Sequence, residues 1–578
     1  MILLGLALLL VGCSGLPGLF LRERGAAIAT ALFLLGDLAG LAAAARVLLG
    51  GHVWSAGLPA LPLGSPGLLR LDPLGAFFLV PVLLLPSCGS VYALGYWSDH
   101  HENPRRLRFL YGLATAFLAL LVASAHAMVF LLAWEGMAIT AFFMVITEDR
   151  EPQTRRAAWI YLASTHSGTL CLFAAFALMA SASGGFLFAP LPPGWAASPR
   201  GAVTFLLFLA GFGLKAGILP LHFWLPEAHA AAPSHVSALM SGILIKMGIL
   251  GLIRLISWVP DPPFWWGALF MALGALSGVL GVAMALGQHD LKRLLAYHSV
   301  ENIGIILLGL GLGTLGKSTG QPALQLLGFA GALLHVLNHS LFKGLLFLGA
   351  GSILHSLGTR NLERMGGLAR TMPFTATTFL VGSWAICGLP PLNGFASEWM
   401  IYLAAFRGLG LQVSAWCVLG LGALALIGAL AAACFTKVFG AAFLGSPRSV
   451  EAAGAEESPR SLRIPMGILS CACIVIGLAP ALAAPALERA VSVIAGPGTA
   501  SLRQLAHLPL LTLLALPLLA MAALLWAWCR KSLSPRGDLP TWDCGFGATL
   551  PRAQYTASSF ADGLVSAMRV VLWPHVHV

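Results

Sequence analysis

Apolar runs of the roughly 20 residues needed to cross a bilayer recur along the whole chain, cut by short polar loops. Their centres predict about 15 transmembrane helices. These cover Ile2–Phe20, Ala26–Leu49, Leu74–Tyr96, Leu107–Leu121, His126–Ile146, Ala157–Ala182, Val203–Leu221, Ser234–Trp258, Trp266–Ala285, Leu294–Leu315, Leu324–Leu357, Phe374–Pro390, Val413–Phe443, Ile464–Leu482 and Leu508–Cys529. The segment after Pro390 is a candidate re-entrant half-helix. The pattern specifies an all-α polytopic membrane protein. The hydrophilic stretches are the loop Gly445–Arg463 and the tail after Lys531, neither long enough to fold alone.

Two places interrupt the helical pattern. One is Lys215–Pro226, with Gly217 and Pro220; the other is Cys387–Phe395, with Pro390 and Pro391. Interrupted helices in corresponding halves are the sequence mark of inverted-repeat transporters.

Only 10% of the 578 residues are charged, where a soluble protein carries about 25%. The net charge of +11 reflects topology, not nucleic-acid binding. Basic residues gather in alternate loops: Arg22/Arg24, Arg105/Arg106/Arg108, Arg150/Arg155/Arg156, Lys292/Arg293, Arg360/Arg364/Arg370, Arg448/Arg460/Arg463 and Arg530/Lys531/Arg536/Arg552. The positive-inside rule then places the N-terminus outside and the C-terminus in the cytoplasm. Ten cysteines lie scattered, with no metal or iron–sulfur spacing, so no cofactor is expected in this chain. Leu10–Cys13 resembles a lipoprotein box but lacks a preceding basic residue, which favours a retained first helix. Gly311–Ser318 matches nucleotide-binding glycine patterns, yet it ends a transmembrane helix and has no βαβ unit around it. It is expected to be a glycine-rich exit turn, with no nucleotide bound.

The informative residues are ionisable groups inside the apolar runs. A lysine at the bilayer centre costs at least about 2.5–3.5 kcal/mol, so such groups are presumed functional. Lys215 is flanked by apolar sequence, and Glu135 lies mid-helix in Phe130–Met137. A carboxylate nearby favours the charged lysine and desolvation the neutral one, so a lysine held between them changes protonation when its partner moves. Glu135 is the expected partner. Lys246 is apolar-flanked for a full turn on both sides. His335, His339 and Lys343 recur at i, i+4 and i+8 along one helix face, an arrangement suited to proton relay. No third Cys, Asp or Glu completes a metal site on that stripe. Glu398 and Lys437 are alternative last stops before an exit. His222, Glu227, His229 and His235 near the first break, with His298 and Glu301 further on, are candidates for an entrance or relay.

Phe212–His229, Ala232–Lys246, Asp290–Ser299, His335–Leu348 and Gly388–Glu398 resemble the motifs of the antiporter-like, proton-conducting subunits of respiratory complex I and the Mrp antiporters. The resemblance is dense from Phe130 to Gly440. The tail Thr541–Gly547 and Arg552–Phe560 resembles the large antiporter-like subunits of hydrogenase-4 and formate hydrogenlyase, which belong to membrane-bound nickel–iron hydrogenases. Family members often continue into a lateral helix and a final anchor; here an amphipathic Leu564–Trp573 runs to Val578, and a full lateral arm is not expected.

The resemblance implies 14 core helices and two inverted five-helix repeats, with helices 7 and 12 discontinuous. On that reading residues 1–106 hold the first three helices and 107–258 the first half-channel. Residues 259–444 hold the second half-channel, 445–530 the C-terminal helices, and 531–578 a cytoplasmic tail. Glu135 and Lys215 become the coupling pair, Lys246 and His335/His339 the central connection, Lys343 the second half-channel lysine and Glu398 the terminal site. The implied function is proton translocation in the cytoplasmic (inner) membrane of a bacterium or archaeon. It would be driven by a peripheral hydrogenase-like or quinone-reductase-like module on the cytoplasmic side. Partner subunits would carry iron–sulfur clusters and a [NiFe] centre, alongside other antiporter-like and small membrane subunits. The rivals are a sodium/proton antiporter subunit without redox chemistry, a structural anchor, and an ATP-driven permease resting only on the rejected glycine stretch.

Overall fold

The computed structural model describes residues 2–21, 24–60, 66–97, 101–496, 501–532 and 554–567. All fifteen expected segments overlap helices, and twelve helices among the described residues are long and apolar enough to cross a membrane. In chain order the main helices are α1 (Ile2–Phe20), α2 (Gly25–Gly50), α3 (Pro73–Tyr96), α4 (Pro104–Val122), α5 (Ala127–Val145), α6 (Pro152–Ser183) and α7 (Pro199–Ala216). They continue with α8 (Leu225–Ala231), α9 (Ser234–Trp258), α10 (Phe264–Leu286), α11 (Leu291–Ser318) and α12 (Pro322–Leu357). The last are α13 (Pro373–Ile386), α14 (Asn393–Gly408), α15 (Ser414–Phe443), α16 (Arg460–Leu478), α17 (Ala484–Ala495), α18 (Leu508–Ser532) and α19 (Ala557–Ala567).

Local sequence sets the ends. Proline opens α3, α4, α6, α7, α12 and α13, where its missing N–H costs nothing. Asp72 accepts from the Gly75 N–H at 2.7 Å to cap α3, and Asp290 accepts from Lys292 and Arg293 to cap α11. Both expected breaks are real. α7 stops at Gly217 (φ 76°) and α13 just before Gly388 (φ 62°), left-handed positions suited to glycine. A further helix, α14, follows Pro390 and Pro391.

The all-α architecture carries one short addition, and one expectation is corrected. Trp54–Ala60 (β1) and Pro66–Leu71 (β2) pair as an antiparallel hairpin between helices. The proline-rich sequence there has no alternating pattern, and the hairpin is fixed from outside, by Arg70 N–H to Ala123 O (2.7 Å) and Ala125 N–H to Leu68 O (3.0 Å). The glycine-rich stretch Gly311–Ser318 is not an exit turn but the last turns of α11. A Cβ added at Gly328 would meet the Gly313 nitrogen at 2.4 Å, and one at Gly304 the Gly278 nitrogen at 2.3 Å. These glycines bring α10, α11 and α12 into backbone contact.

The result is a layered bundle. α9 and α11 are encased in protein, whereas α1, α2 and α18 leave most of their surface on the outside. Charged side chains cannot face acyl chains cheaply, so α9 and α11 are where the fold can hold them. The loops carrying the basic clusters meet at one end: Arg150 pairs with Glu102, Arg360 with Asp290, and Arg364 with Glu451. The hairpin lies at the other. The motif Thr541–Gly547, Arg552 and the part of the amphipathic segment beyond Ala567 lie outside the described residues.

Candidate functional site: a buried polar track

Lys215 occupies the last turn of α7. Trp224 Nε1–H donates to Leu214 O (2.8 Å) and Leu219 N–H to Ser277 Oγ (3.0 Å), satisfying backbone groups freed by the break. The Lys215 ammonium donates to the Tyr161 hydroxyl at 2.9 Å and lies 4.9 Å from the Tyr161 ring centre and 5.8 Å from that of Trp134. Glu135, the expected partner, makes no ion pair with Lys215 within 4 Å among the described residues. Glu135 lies 3.4 Å from His166, and both side chains are partly exposed. Consecutive helix positions diverge by about 100°. Trp134, held by Thr169 at 3.2 Å, takes the face toward Lys215 and turns Glu135 aside. Glu135 acts on the ammonium only through space.

The second group is denser. A π turn, Met240–Leu244, interrupts α9, and Lys246 reaches back to donate to the Ser241 carbonyl within it. Such widened turns cluster at functional positions. Ser241 Oγ lies 2.8 Å from Ser299 Oγ on α11. On α11, His298 and Glu301 form a fully buried pair through Nδ1 and Oε2. Asn302 donates to the His298 carbonyl (2.8 Å) and pairs its Oδ1 with His335 Nε2 (3.0 Å). His335 Nδ1 meets Ser397 Oγ (2.9 Å), which accepts from Asn338 Nδ2 (3.1 Å). The expected stripe on α12 is present and fully buried, with the His335 and His339 ring centres 6.3 Å apart. Lys343 donates to the Leu295 carbonyl and lies within electrostatic reach of Glu301.

Both ring nitrogens of His339, Glu301 Oε1 and Asn338 Oδ1 are buried without a hydrogen-bond partner among the described residues. Leaving such an atom unsatisfied costs about 1–3 kcal/mol. These atoms lie among the ionisable groups of α11 and α12.

At the second break, a Cβ added to Gly388 would lie 2.3 Å from Glu398 Oε2, so the bend and the carboxylate occupy one space. Lys437 donates to Leu286 O (2.5 Å) and Gln288 O (2.9 Å), capping the end of α10 near the basic loops. That is the favourable place for a cation on a helix.

The entrance candidates separate. Glu148, Glu227, Asp290, Arg293 and Arg360 line a depression of about 600 Å³ at the basic end. Arg293 holds both Glu227 oxygens at 2.8 Å. Below it, buried Lys292 donates to the Ala232 carbonyl. His229 stacks on Phe347 (5.4 Å between centres), and that ring lies 5.6 Å from the Lys343 ammonium. Glu148, in the loop before α6, is half-buried; burial pushes its carboxyl above the usual range, Glu102 adds to this, and Lys292 and Arg360 oppose it. His298 and Glu301 belong to the interior network. His235 faces Tyr96 and Tyr111 instead, and His222 lies apart beside Tyr297. Among the described residues no three His, Cys, Asp or Glu side chains group to hold a metal ion.

Sequence reasoning missed Tyr161, Asn302, Asn338, Ser397 and buried Lys292. Asn302 and Ser397 adjoin Glu301 and Glu398 in apolar helices, and that adjacency was the available signal. It also missed Arg254, which holds Asp72 at 2.5 and 2.8 Å.

Residues 124–425 match the transmembrane family described as NADH:quinone oxidoreductase/Mrp antiporter. The chain belongs to this family. It is 38% identical to hydrogenase-4 component B of Escherichia coli over 533 residues, spanning 87% of this chain and 77% of that one. Formate hydrogenlyase subunit 3 of the same organism is 37% identical, spanning 87% and 81%. Among solved structures, an archaeal respiratory membrane complex, the membrane-bound sulfane sulfur reductase, contains a chain that superposes with a TM-score of 0.83 at 24% identity, over 99% of this chain and 92% of that one. That likeness concerns the fold. The two breaks and most of the polar track fall inside the matched family region.

Proposed function

We propose that this antiporter-like chain is the proton-translocating membrane subunit of a redox-driven respiratory complex of the energy-converting hydrogenase type. The reading rests on one observation: the fully buried, hydrogen-bonded series Glu301–Asn302–His335–Ser397, flanked by Lys246 and Lys343, with polar atoms unpartnered among the described residues. A structural anchor has no reason to keep such groups at that cost. The names of the hydrogenase relatives support assembly with a peripheral redox module carrying iron–sulfur clusters and a [NiFe] centre, and with further membrane subunits. The basic loops support a cytoplasmic basic end and an external N-terminus. The breaks at Gly217 and Gly388 support two inverted repeats, residues 107–258 and 259–444, each a half-channel.

In this mechanism electron transfer in the partner disturbs the surroundings of Lys215, acting on Tyr161 directly and on Glu135 at longer range. Protons reach Lys343 from the depression by way of His229. They cross the centre through water around His339 and the Asn302–His335 bridge, and approach the exit at Glu398. Moving one charge against 100 mV costs about 2.3 kcal/mol. A hydrogen bond to a charged group contributes about 1.5–3 kcal/mol. Making and breaking the Lys215–Tyr161 contact is therefore of sufficient size to drive one proton. Lys437, occupied as a helix cap, is assigned no exit role.

The test is Lys215→Ala in the whole complex, reconstituted in vesicles. Electron transfer should continue without proton accumulation; coupled pumping at the native ratio would overturn the proposal. Sodium/proton antiport without redox chemistry is the second reading, since the family includes Mrp antiporters. It would show as sodium flux driven by a pH gradient in the absence of an electron donor.

A further inference from the structure

A second group of buried polar side chains lies outside the central track, between α2, α3, α4 and the start of α9. Asp37 is buried mid-way along α2, and among the described residues no basic side chain pairs with it. Ser87 Oγ donates to Asp37 Oδ2 at 2.5 Å, while Asp37 Oδ1 has no partner among the described residues. Thr30, Phe33 and Asp37 share the inward face of α2 at i, i+3 and i+7. That face meets Ser87 and Ser90 of α3 and Tyr111 of α4; Ser90 Oγ lies 3.4 Å from Thr30 Oγ1, and the Phe33 and Tyr111 rings are 6.0 Å apart. The Tyr111 hydroxyl rests on the backbone of Gly89, where a Cβ would meet it at 2.0 Å, and it too has no partner. On its other side the Tyr111 ring lies 5.5 Å from the ring of His235, whose Nδ1 is likewise buried and unpartnered. A cavity of about 20 Å³, room for about one water, is lined by Ser14, Ser90, Arg108, Tyr111 and His235.

Three buried polar groups, each with an unsatisfied atom, thus run in sequence from an outer helix to the helix that carries Lys246. Among the described residues this carboxylate has no hydrogen-bond partner beyond Ser87, and burying it ionised is costly. We propose that Asp37 is a proton-holding carboxylate that exchanges protons with His235 by way of Tyr111 and the water-sized cavity, forming a lateral protonation site beside the central track. The exchange is balanced: the Tyr111 hydroxyl gives its proton to one neighbour as it takes one from the other, and no bond to carbon changes. The titratable groups within electrostatic reach of Asp37 are Cys88 on α3 and Tyr111 on α4, while Arg108 on α4 and His235 on α9 line the cavity beside Tyr111; α1 presents no charged side chain. His235 adjoins Ser234, whose Oγ is 2.9 Å from Tyr96 Oη, so the site abuts the N-terminal end of α9.

The inference rests on the chain moving protons, but its test reads the carboxylate itself. The full-length chain in lipid nanodiscs is titrated while infrared difference spectra follow the protonated-carboxyl band. A titrating band should vanish in Asp37→Asn, and its midpoint should move in both Tyr111→Phe and His235→Gln. Asp37→Glu, which keeps the acid, should shift the band's frequency and serves if Asp37→Asn does not fold. No band lost in Asp37→Asn and none shifted in Asp37→Glu would overturn the proposal. So would a midpoint indifferent to both Tyr111→Phe and His235→Gln. Failure of pumping in Lys215→Ala with this titration intact leaves the lateral site standing, so the two readings fail separately.

Discussion

Asn302 is the side chain through which the two halves of the buried network meet, and Asn302→Leu is the most informative substitution. Leucine is close in volume and keeps α11 intact. It removes the 3.0 Å contact with His335 Nε2 and the 2.8 Å bond to the His298 carbonyl. The His298 carbonyl keeps its backbone donor within α11, but the stranded His335 nitrogen costs about 1–3 kcal/mol. If proton passage uses the bridge, the same loss enters the transfer barrier, and 1–3 kcal/mol corresponds to a roughly 5–150-fold slower rate. The assay is proton uptake by vesicles holding the complete complex, with electron transfer followed in parallel and melting followed in detergent. Asn302→Gln, able to offer the same amide, should recover part of the rate. Pumping within about twofold of native in Asn302→Leu, with melting unchanged, would refute the bridging role.

Tyr161→Phe keeps the ring against Lys215 and removes the hydroxyl; loss of about 1.5–3 kcal/mol of ammonium stabilisation should cut coupled pumping more than electron transfer. Asp72→Ala should destabilise the purified chain by about 3–5 kcal/mol by stranding the Arg254 guanidinium, and a change under about 1 kcal/mol in denaturation would contradict that. Gly388→Ala should reduce pumping through both its φ of 62° and the 2.3 Å approach of the new methyl to Glu398, whereas Gly→Ala at open Gly422 should be silent. Partial burial opposes ionisation of Glu363, but the Ser558 N–H (2.7 Å) and hydroxyl (2.8 Å) outweigh it and hold the carboxyl below its usual value. The sign is that of a depressed acid: the contact stabilises α19 docking above the free carboxyl's range and is lost as pH falls through the lowered value. Site-specific labels on α19 should therefore report release on acidification, and Ser558→Ala should release it at neutral pH.

Helix positions and the two breaks were legible because apolar run length and glycine–proline punctuation are local signals. The α12 stripe was legible for the same reason, since one helix fixes the spacing of His335, His339 and Lys343. The geometry between helices was not legible. Glu135 and Lys215 lie close enough to interact through space. How each side chain is turned depends on a rotation of about 100° per residue that local pattern does not fix, and Trp134 also faces Lys215. Neutral linkers were not legible either. Asn302, Ser397 and Tyr161 have no charge to draw attention in an apolar run, yet they make the hydrogen bonds. Lys437, an intramembrane charge, also closes a helix end, a contact between distant segments that its own sequence does not reveal. The hairpin Trp54–Leu71 escaped because its partners, Ala123 and Ala125, are distant in sequence.

The most direct test of a wet, continuous path is an experimental density map of the chain in lipid, within its complex, at a resolution that shows ordered water. Water density bridging His339, Glu301 Oε1 and Asn338 Oδ1, and reaching from there toward Lys246 and Lys343, is the expected result. Apolar side chains packed against both His339 nitrogens, with no water between them and Glu301, would contradict the account.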